Sequence, residues 1–579
     1  MNVSDTETVN RRGRGEACWI GRYDGVKLLE LEPTGKTDFS QIFDFYGEGD
    51  FYFWHMAFDA RALIHPRFFS SKYRRDLEAL GLFDRTVIAG AYEIRAIPSK
   101  LVEIKCGKKI VRFYDLKQFY GTSLDVAGEK FYGLKKEPIP KSWYNEMDRC
   151  LGDARRPRVL AYARRDLEIT HKLSQHLDGQ LRAAKIYPKK LISCASLARE
   201  LFGPRLKRNK PGDSVNRAFE QSFFGGRIET RIIGRVGRCH LIDLGQAYPS
   251  VMATLPPLAG GTFAYYHSGD EIGRHDPDFI TARVSAEIPA NWTWGPLAVR
   301  RDDGRIYFPT GKIVTWVGKA GLKLLRDFKI PHKILEGGEY YCRDRKPLFP
   351  EIPTLYAARK KSEAGLAIKT ALNSGYGICA ERRDQYAESD AVNGRRAGNF
   401  FIARSSVYGS CTNFLYAAAI TEETRCKIFR VLHAARKSAL FAATDGVLIS
   451  GAPARKYPGG LGEFGLEGEY SSAVILGAGR YILRGTDGEN KYRLRGFGGD
   501  AKAHFARLEK CSKKSARLPV LASGTLREWA MTGGESDLNV LEETEHDLSL
   551  GDSKRLWPAF GALKSCWRKT YDSTPEIGE

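Results

Sequence analysis

FAATDGVLIS, residues 441–450, sets one carboxylate, Asp445, inside an apolar run that otherwise patterns as a buried β-hairpin. Read locally, Asp445-Gly446 is a hairpin turn, because Asp and Gly both tolerate the positive φ that such turns require. A carboxylate left unpaired among apolar strands is costly. The reading of the fold therefore depends on whether other acidic residues, elsewhere in the chain, answer Asp445.

One does. CHLIDLGQAYPSVM, residues 239–252, is a second apolar strand with a single aspartate, Asp243, followed by Tyr248-Pro249-Ser250. Between the two strands lies KTALNSGYG, residues 369–377, where helical spacing puts Lys369 and Asn373 on one face and makes Asn373 and Tyr376 neighbours. Two strand carboxylates facing a helix that offers a cation and an amide suit nucleotidyl transfer with two metal ions. Pairing with Mg²⁺, a hard cation that takes carboxylate oxygens, would remove the objection to burying Asp243 and Asp445.

Composition supports a polyanionic partner. The 579-residue chain carries a formal charge of +22, and its basic clusters (RLKRNK from Arg205, AARKK from Ala357, KCSKKSAR from Lys510) are dispersed, which favours a long groove over a basic tail. Such a length exceeds a single core and implies several domains. The 11 cysteines include no CxxC pair, so neither a zinc knuckle nor a disulfide framework is indicated. No apolar run is long enough to span a bilayer and no signal peptide pattern opens the chain, so a cytoplasmic protein with no membrane partner is expected.

The N-terminal part carries a second carboxylate set. SDTETV puts Asp5 and Glu7 two residues apart on one strand face, HMAFDA supplies Asp59, and YARRD sets Tyr162 and Asp166 one turn apart on a helix. Alternation and β-branched residues predict strands through NVSDTETV, ACWIGRYDGVKLLELE and FYFWHMAFDA, with a hairpin at EIRAIPSKLVEIKCGKKIVRFYDL. RVLAYARRDLEITHKLSQHL, TLYAARKKSEAGLAIKTALNSGYG and TNFLYAAAITEETRCKIFRVLHAARKSALF read as helices.

Taken in order, these motifs resemble family B DNA polymerases. Asp243–Ser250 resembles their first polymerase motif, DxxSLYPS, with Gln246 and Ala247 in place of Ser-Leu. Lys369–Gly377 matches the second, KxxxNSxYG, at every defined position. Ala443–Gly446 resembles the DTD hairpin, with Ala443 in place of the first aspartate and Asp445 retained as the direct metal ligand. The upstream set resembles the three motifs of the family's 3′–5′ proofreading exonuclease, with His55 where Asn is usual.

The resemblance implies an α/β multidomain chain: an RNase H-like 3′–5′ exonuclease domain followed by a right-hand polymerase of palm, fingers and thumb. It implies metal ligation by Asp243 and Asp445 at one site and by Asp5, Glu7, Asp59 and Asp166 at the other, with Tyr162 orienting the attacking water. Two Mg²⁺ per site are expected, Mn²⁺ being able to substitute. Tyr248, Lys369, Asn373 and Tyr376 would bind the nucleotide, joined by Arg359, Lys360 or Lys361. Tyr248 would exclude a 2′-hydroxyl. DNA contacts are implied for Phe223, Gly225 and Gly226 of a YxGG-like loop, for His55, Phe58 and Thr444, and for Arg493 and Arg495 of a KxxG-like stretch.

Seven segments are expected: the exonuclease domain at 1–185, the first palm part with its connector at 186–255, an insertion at 256–345 that would dock a terminal protein, fingers at 346–379, a strand-displacement insertion at 380–410, the second palm part at 411–504 and the thumb at 505–579. This compact layout is most similar to the protein-primed type of small phages and linear plasmids. A monomer is expected, with primer-template DNA, single-stranded DNA, deoxynucleoside triphosphates and a terminal protein as partners. Alternative readings are a self-priming or repair polymerase of the same family and a catalytically inactive DNA-binding relic.

Overall fold

The computed structural model describes residues 1–578 except 12–13, 83–85, 98–99, 360–364, 389–394, 398–399, 496, 498–500, 512–514, 523–539, 548–553 and 560–562. The N-terminal part is built on an eight-stranded sheet in the order Leu28–Leu31, Arg14–Tyr23, Asn2–Arg11, Gly49–Phe53, Lys109–Asp115, Leu101–Cys106, Tyr92–Ile97 and Thr86–Ala89. Asn2–Arg11 runs antiparallel to Arg14–Tyr23 and parallel to Gly49–Phe53, which is parallel to Lys109–Asp115.

Parallel strands are buried on both faces, and helices cover both here. Phe39, Ile42, Met56 and Leu63 pack with Phe53 and Phe113 on one side. On the other, the helix Arg156–Ala184 lays Val159, Leu167, Leu177 and Leu181 in one cluster with Val3, Trp19 and Tyr52. The alternation in FYFWHMAFDA predicts one strand, but the strand ends at Phe53 and a helix, Met56–Leu63, begins after His55. His55 makes the turn at φ 80°, a left-handed conformation that a periodicity of two does not register.

The second sheet carries the other carboxylates. Its main path runs Asn490–Leu494, Arg480–Gly485, Glu463–Gly477, Cys239–Leu244, Gly446–Ser450, Ala439–Thr444 and Arg227–Thr230. Helix Phe414–Ala435 lies on it, with Ile428, Phe429 and Leu432 packed against Ile242, Ala442 and Val447. Cys239–Leu244 and Gly446–Ser450 are antiparallel neighbours, with Asp243 opposite Gly446. That register puts Asp243 and Asp445 at the same end of adjacent strands.

Of the region 256–345, Thr262–Tyr266, His332–Tyr341, Phe279–Ile288 and Thr310–Gly318 form four successive strands of a separate sheet. Of the stretch 354–377 read as helical, the described residues lie in helix Ile352–Arg359 and helix Gly365–Cys379. In 380–410, Arg382–Glu388 and Arg395–Ala397 both pair with Phe400–Tyr408.

The C-terminal strands fall within the stretch expected as thumb and pair elsewhere. Thr570–Asp572 joins Ile232–Val236 of the second sheet, and Ile577–Gly578 adds to Thr310–Gly318. Arg555 anchors this return: its Nη1 meets Glu229 Oε1 at 2.6 Å, and both side chains are wholly buried.

Candidate active sites

Asp445 sits in a turn so tight that its N–H donates to Ala443 O at 2.9 Å, while its own carbonyl accepts from Leu244 N–H at 2.9 Å. The positive φ falls on Thr444, at 66°, whereas neither Asp445 nor Gly446 adopts one. For a β-branched residue this conformation is strained and persists only where surrounding contacts impose it. Those contacts are tight: a Cβ on Gly226 would stand 2.8 Å from both Thr444 Cγ2 and the Tyr248 hydroxyl. Glycine at 226 is thus demanded by close approach.

Burial, the neighbouring Asp445 carboxylate and then Glu467 push the Asp243 carboxyl up to about 7. Burial and Glu467 raise Asp445 as well, while Arg493 opposes the rise. Glu467, on the strand beside Asp243, is a third carboxylate that the motif reading missed; it forms an ion pair with Lys491. Only the antiparallel register brings Glu467 here, and no local pattern in GLEGEY marks it.

The helix Gly365–Cys379 closes the site from the other side. Asn373 Oδ1 accepts from Gln246 Nε2 at 2.9 Å, and the Tyr376 ring lies 4.4 Å from that of Tyr248. Lys369 acts electrostatically on Asp243. Gln246 replaces a family serine, and at φ 48° it uses its longer side chain to reach the facing helix. Arg425, buried in Phe414–Ala435, donates to Phe224 O and to Gly225 O, the latter at 3.0 Å, which fixes the loop before Gly226. Phe223 packs on Phe414 with centroids 5.3 Å apart. Arg425 also faces Tyr248 and Tyr376, a role legible only in three dimensions.

Arg493 joins the site, whereas Arg495 turns to the strand connection, its N–H bonded to Gly479 O at 2.8 Å. Arg359 lies over the Tyr356 ring. Lys360 and Lys361 lie outside the described residues.

In the N-terminal part, Asp5, Glu7, His55, Phe58, Asp59, Lys136, Tyr162 and Asp166 line one cleft of about 160 Å³. Burial drives up the carboxyls of Asp5, to about 7, and of Glu7 and Asp59; Asp166 adds to the rise at Asp5, and Asp5 adds to those at Glu7 and Asp59. Asp59 Oδ1 accepts from Thr6 N at 3.1 Å and Thr6 Oγ1 at 2.7 Å, which ties its helix to the Asp5–Glu7 strand. His55 N–H donates to Asp115 Oδ1 at 3.3 Å.

Nothing in the sequence distinguishes Lys136 from Lys135. Its ammonium meets Asp166 Oδ2 at 2.6 Å and donates to the Tyr162 hydroxyl at 2.9 Å.

Among the described residues no three acidic, His or Cys side chains converge closely enough to chelate an ion unaided. Mg²⁺ does not require that, since it is held by one or two carboxylates, waters and substrate phosphates. The residues fit such a cation: the donors are hard oxygens, and Asp166 Oδ1 is buried without a hydrogen-bond partner. No described helix is long and apolar enough to cross a membrane.

Paired carboxylates at adjacent strand ends, faced by a helix bearing Lys, Asn and Tyr, define the class. Residues 135–412, just under half of the chain, match the family described as DNA polymerase type B, organellar and viral. The resemblance to family B DNA polymerases, DNA-binding enzymes of replication, is thereby borne out. Among solved structures, the chain is similar to Phi29 DNA polymerase complexed with single-stranded DNA, at 14% identity and TM-score 0.70, over 95% of this chain and 100% of that one. It is also similar to the ternary complex of Phi29 DNA polymerase with primer-template DNA and incoming nucleotide, at 15% identity and TM-score 0.66, over 90% and 97%. At these identities the likeness establishes the fold. No curated protein matches the chain in sequence.

Proposed function

We propose that this chain is a DNA-templated DNA polymerase with a 3′–5′ proofreading exonuclease, acting in protein-primed replication of a phage or mobile element in the host cytoplasm. The observation that carries the polymerase reading is the convergence of Asp243, Asp445, Lys369 and the Tyr248–Tyr376 pair at one strand end. Asp243 and Asp445 would hold Mg²⁺, which supplies charge stabilisation at the attacking primer hydroxyl and the leaving pyrophosphate. Lys369 places a point charge for the triphosphate. Tyr248, backed by Tyr376 and pressed by Gly226, offers a fixed ring under the sugar, where a 2′-hydroxyl would clash. Ala443 leaves this reading intact, because Asp445 retains the ligand position.

In the cleft, Asp5, Glu7, Asp59 and Asp166 would hold the hydrolytic cations, and the Tyr162 hydroxyl, held by Lys136, would orient the attacking water. The separate sheet within 256–345, inserted between the two carboxylate strands, supports a docking role toward a terminal protein. The three strands within 380–410 suit a loop that separates template strands.

The test is incorporation of labelled deoxynucleotides with Mg²⁺ on a circular single-stranded template, with and without an annealed primer. Synthesis only with primer supports the reading and directs the search to a terminal protein. Synthesis without primer favours the self-priming alternative, and none in either lane identifies Ala443 as the mark of a dead site.

A further inference from the structure

The helix Arg156–Ala184 carries Tyr162 and Asp166 near its start. Near its end, Gln180 Oε1 accepts the Leu366 N–H at 2.9 Å, in the first described turn of helix Gly365–Cys379. One rigid element therefore runs from the exonuclease cleft to the nucleotide-facing helix, about 21 Å from Asp166 to Gln180 at 1.5 Å per residue.

The contact is not isolated. Ala367 and Ala371, one helical turn apart, are fully buried in the same cluster as Leu177, Leu181 and Leu197. Lys369 and Asn373, on the other face, are exposed toward the site. Small residues at 367 and 371 let the two helices approach closely, so the helix bearing Lys369 is seated on the N-terminal domain. The packing is apolar and tolerates sliding, whereas the hydrogen bond is directional. Leu366 lies less than one turn from Lys369, so the bond fixes the stretch of helix that presents the cation.

We infer that Gln180, in the N-terminal domain, is a positioning residue for nucleotide binding at the other site, acting through its hydrogen bond to the Leu366 amide. This rests on the polymerase reading above. Removing the acceptor leaves the helix seated but free to shift, which weakens nucleotide binding without touching the carboxylates that carry the chemistry.

The experiment uses the full chain with Gln180→Met, which keeps the shape and removes the acceptor, and Gln180→Glu, which restores one. Steady-state incorporation on a primed template, degradation of single-stranded DNA, and hydrogen exchange at the Leu366 amide are measured together. In Gln180→Met the KM for deoxynucleotide rises about fivefold, the scale of one lost hydrogen bond, while kcat and degradation stay within about twofold. Leu366 exchanges faster in that variant, and Gln180→Glu returns both values toward wild type. An unchanged KM in Gln180→Met, or an equal rise in Gln180→Glu, overturns the inference. If the wild-type chain incorporates nothing, the polymerase reading falls by itself, and unchanged exchange at Leu366 separately rules out the positioning bond.

Discussion

The rings of Tyr248 and Tyr376 lie 4.4 Å apart and tilted by 44°, joining the end of one carboxylate strand to the helix that bears Lys369. Residues more than a hundred positions apart in the chain thus form one surface. A Cβ on Gly226 would stand 2.8 Å from the Tyr248 hydroxyl, and Arg425 holds the loop before Gly226.

This stack predicts how the sugar is selected. Tyr248→Val should lower discrimination against ribonucleotides by about tenfold to a hundredfold, the cost range of a steric clash, with deoxynucleotide incorporation largely kept. Gly226→Ala, whose new Cβ would crowd both Tyr248 and Thr444 at 2.8 Å, should instead depress all incorporation. Competition between ribo- and deoxynucleotides on one primed template separates the two; unaltered discrimination in Tyr248→Val would remove the steric role.

Asp445→Asn keeps the size of the side chain and removes the charge. Incorporation should fall about 10³-fold or more, since several kcal/mol of charge stabilisation depend on the ligated cation, while DNA affinity stays nearly unchanged. Single-turnover incorporation beside a binding titration decides it, and synthesis near the wild-type level would refute the ligand assignment.

Asp5→Ala with Glu7→Ala should stop degradation of a single strand and spare synthesis, because Asp5 and Glu7 stand on a different sheet from Asp243 and the Asp445 turn. Lys136→Met leaves the four carboxylates in place but removes the ammonium between Asp166 and Tyr162. Degradation should drop about 10- to 100-fold, as for loss of a residue that orients metal ligands. Loss of synthesis in either variant would indicate a folding defect.

Glu103 links Lys190 of the connector to Arg112 of the first sheet, at 2.7 Å and 2.5 Å. Burial alone would raise its carboxyl, but the hydrogen bonds from Lys190 and Arg112 prevail and hold it down at about 2, below the ordinary 4.5. Its stabilisation is therefore full above pH 4.5 and is lost as pH falls toward 2. Glu103→Gln should lower the melting temperature at pH 7 and narrow its difference from wild type as the pH is taken down to about 3. Parallel melting curves at both pH values would refute this.

The sequence by itself determined the two strand aspartates, the Lys369–Gly377 helix face and the four upstream carboxylates. Each is a short-range pattern in which spacing of two or about four residues sets the face. It misplaced local strain: the positive φ expected of Asp-Gly falls on Thr444, and a strand expected through Ala60 breaks at His55. Both are decided by what packs against the turn.

Only the tertiary structure recruited Glu467, Lys136, Arg425 and Gln180, since each acts on a partner remote in sequence through strand register or helix contact. It likewise returned the C-terminal strands to the second sheet through Arg555 and Glu229. Periodicity states which side of an element is buried. Which distant group meets that side is fixed by the packing of whole elements, and that is where the charges of both sites are balanced.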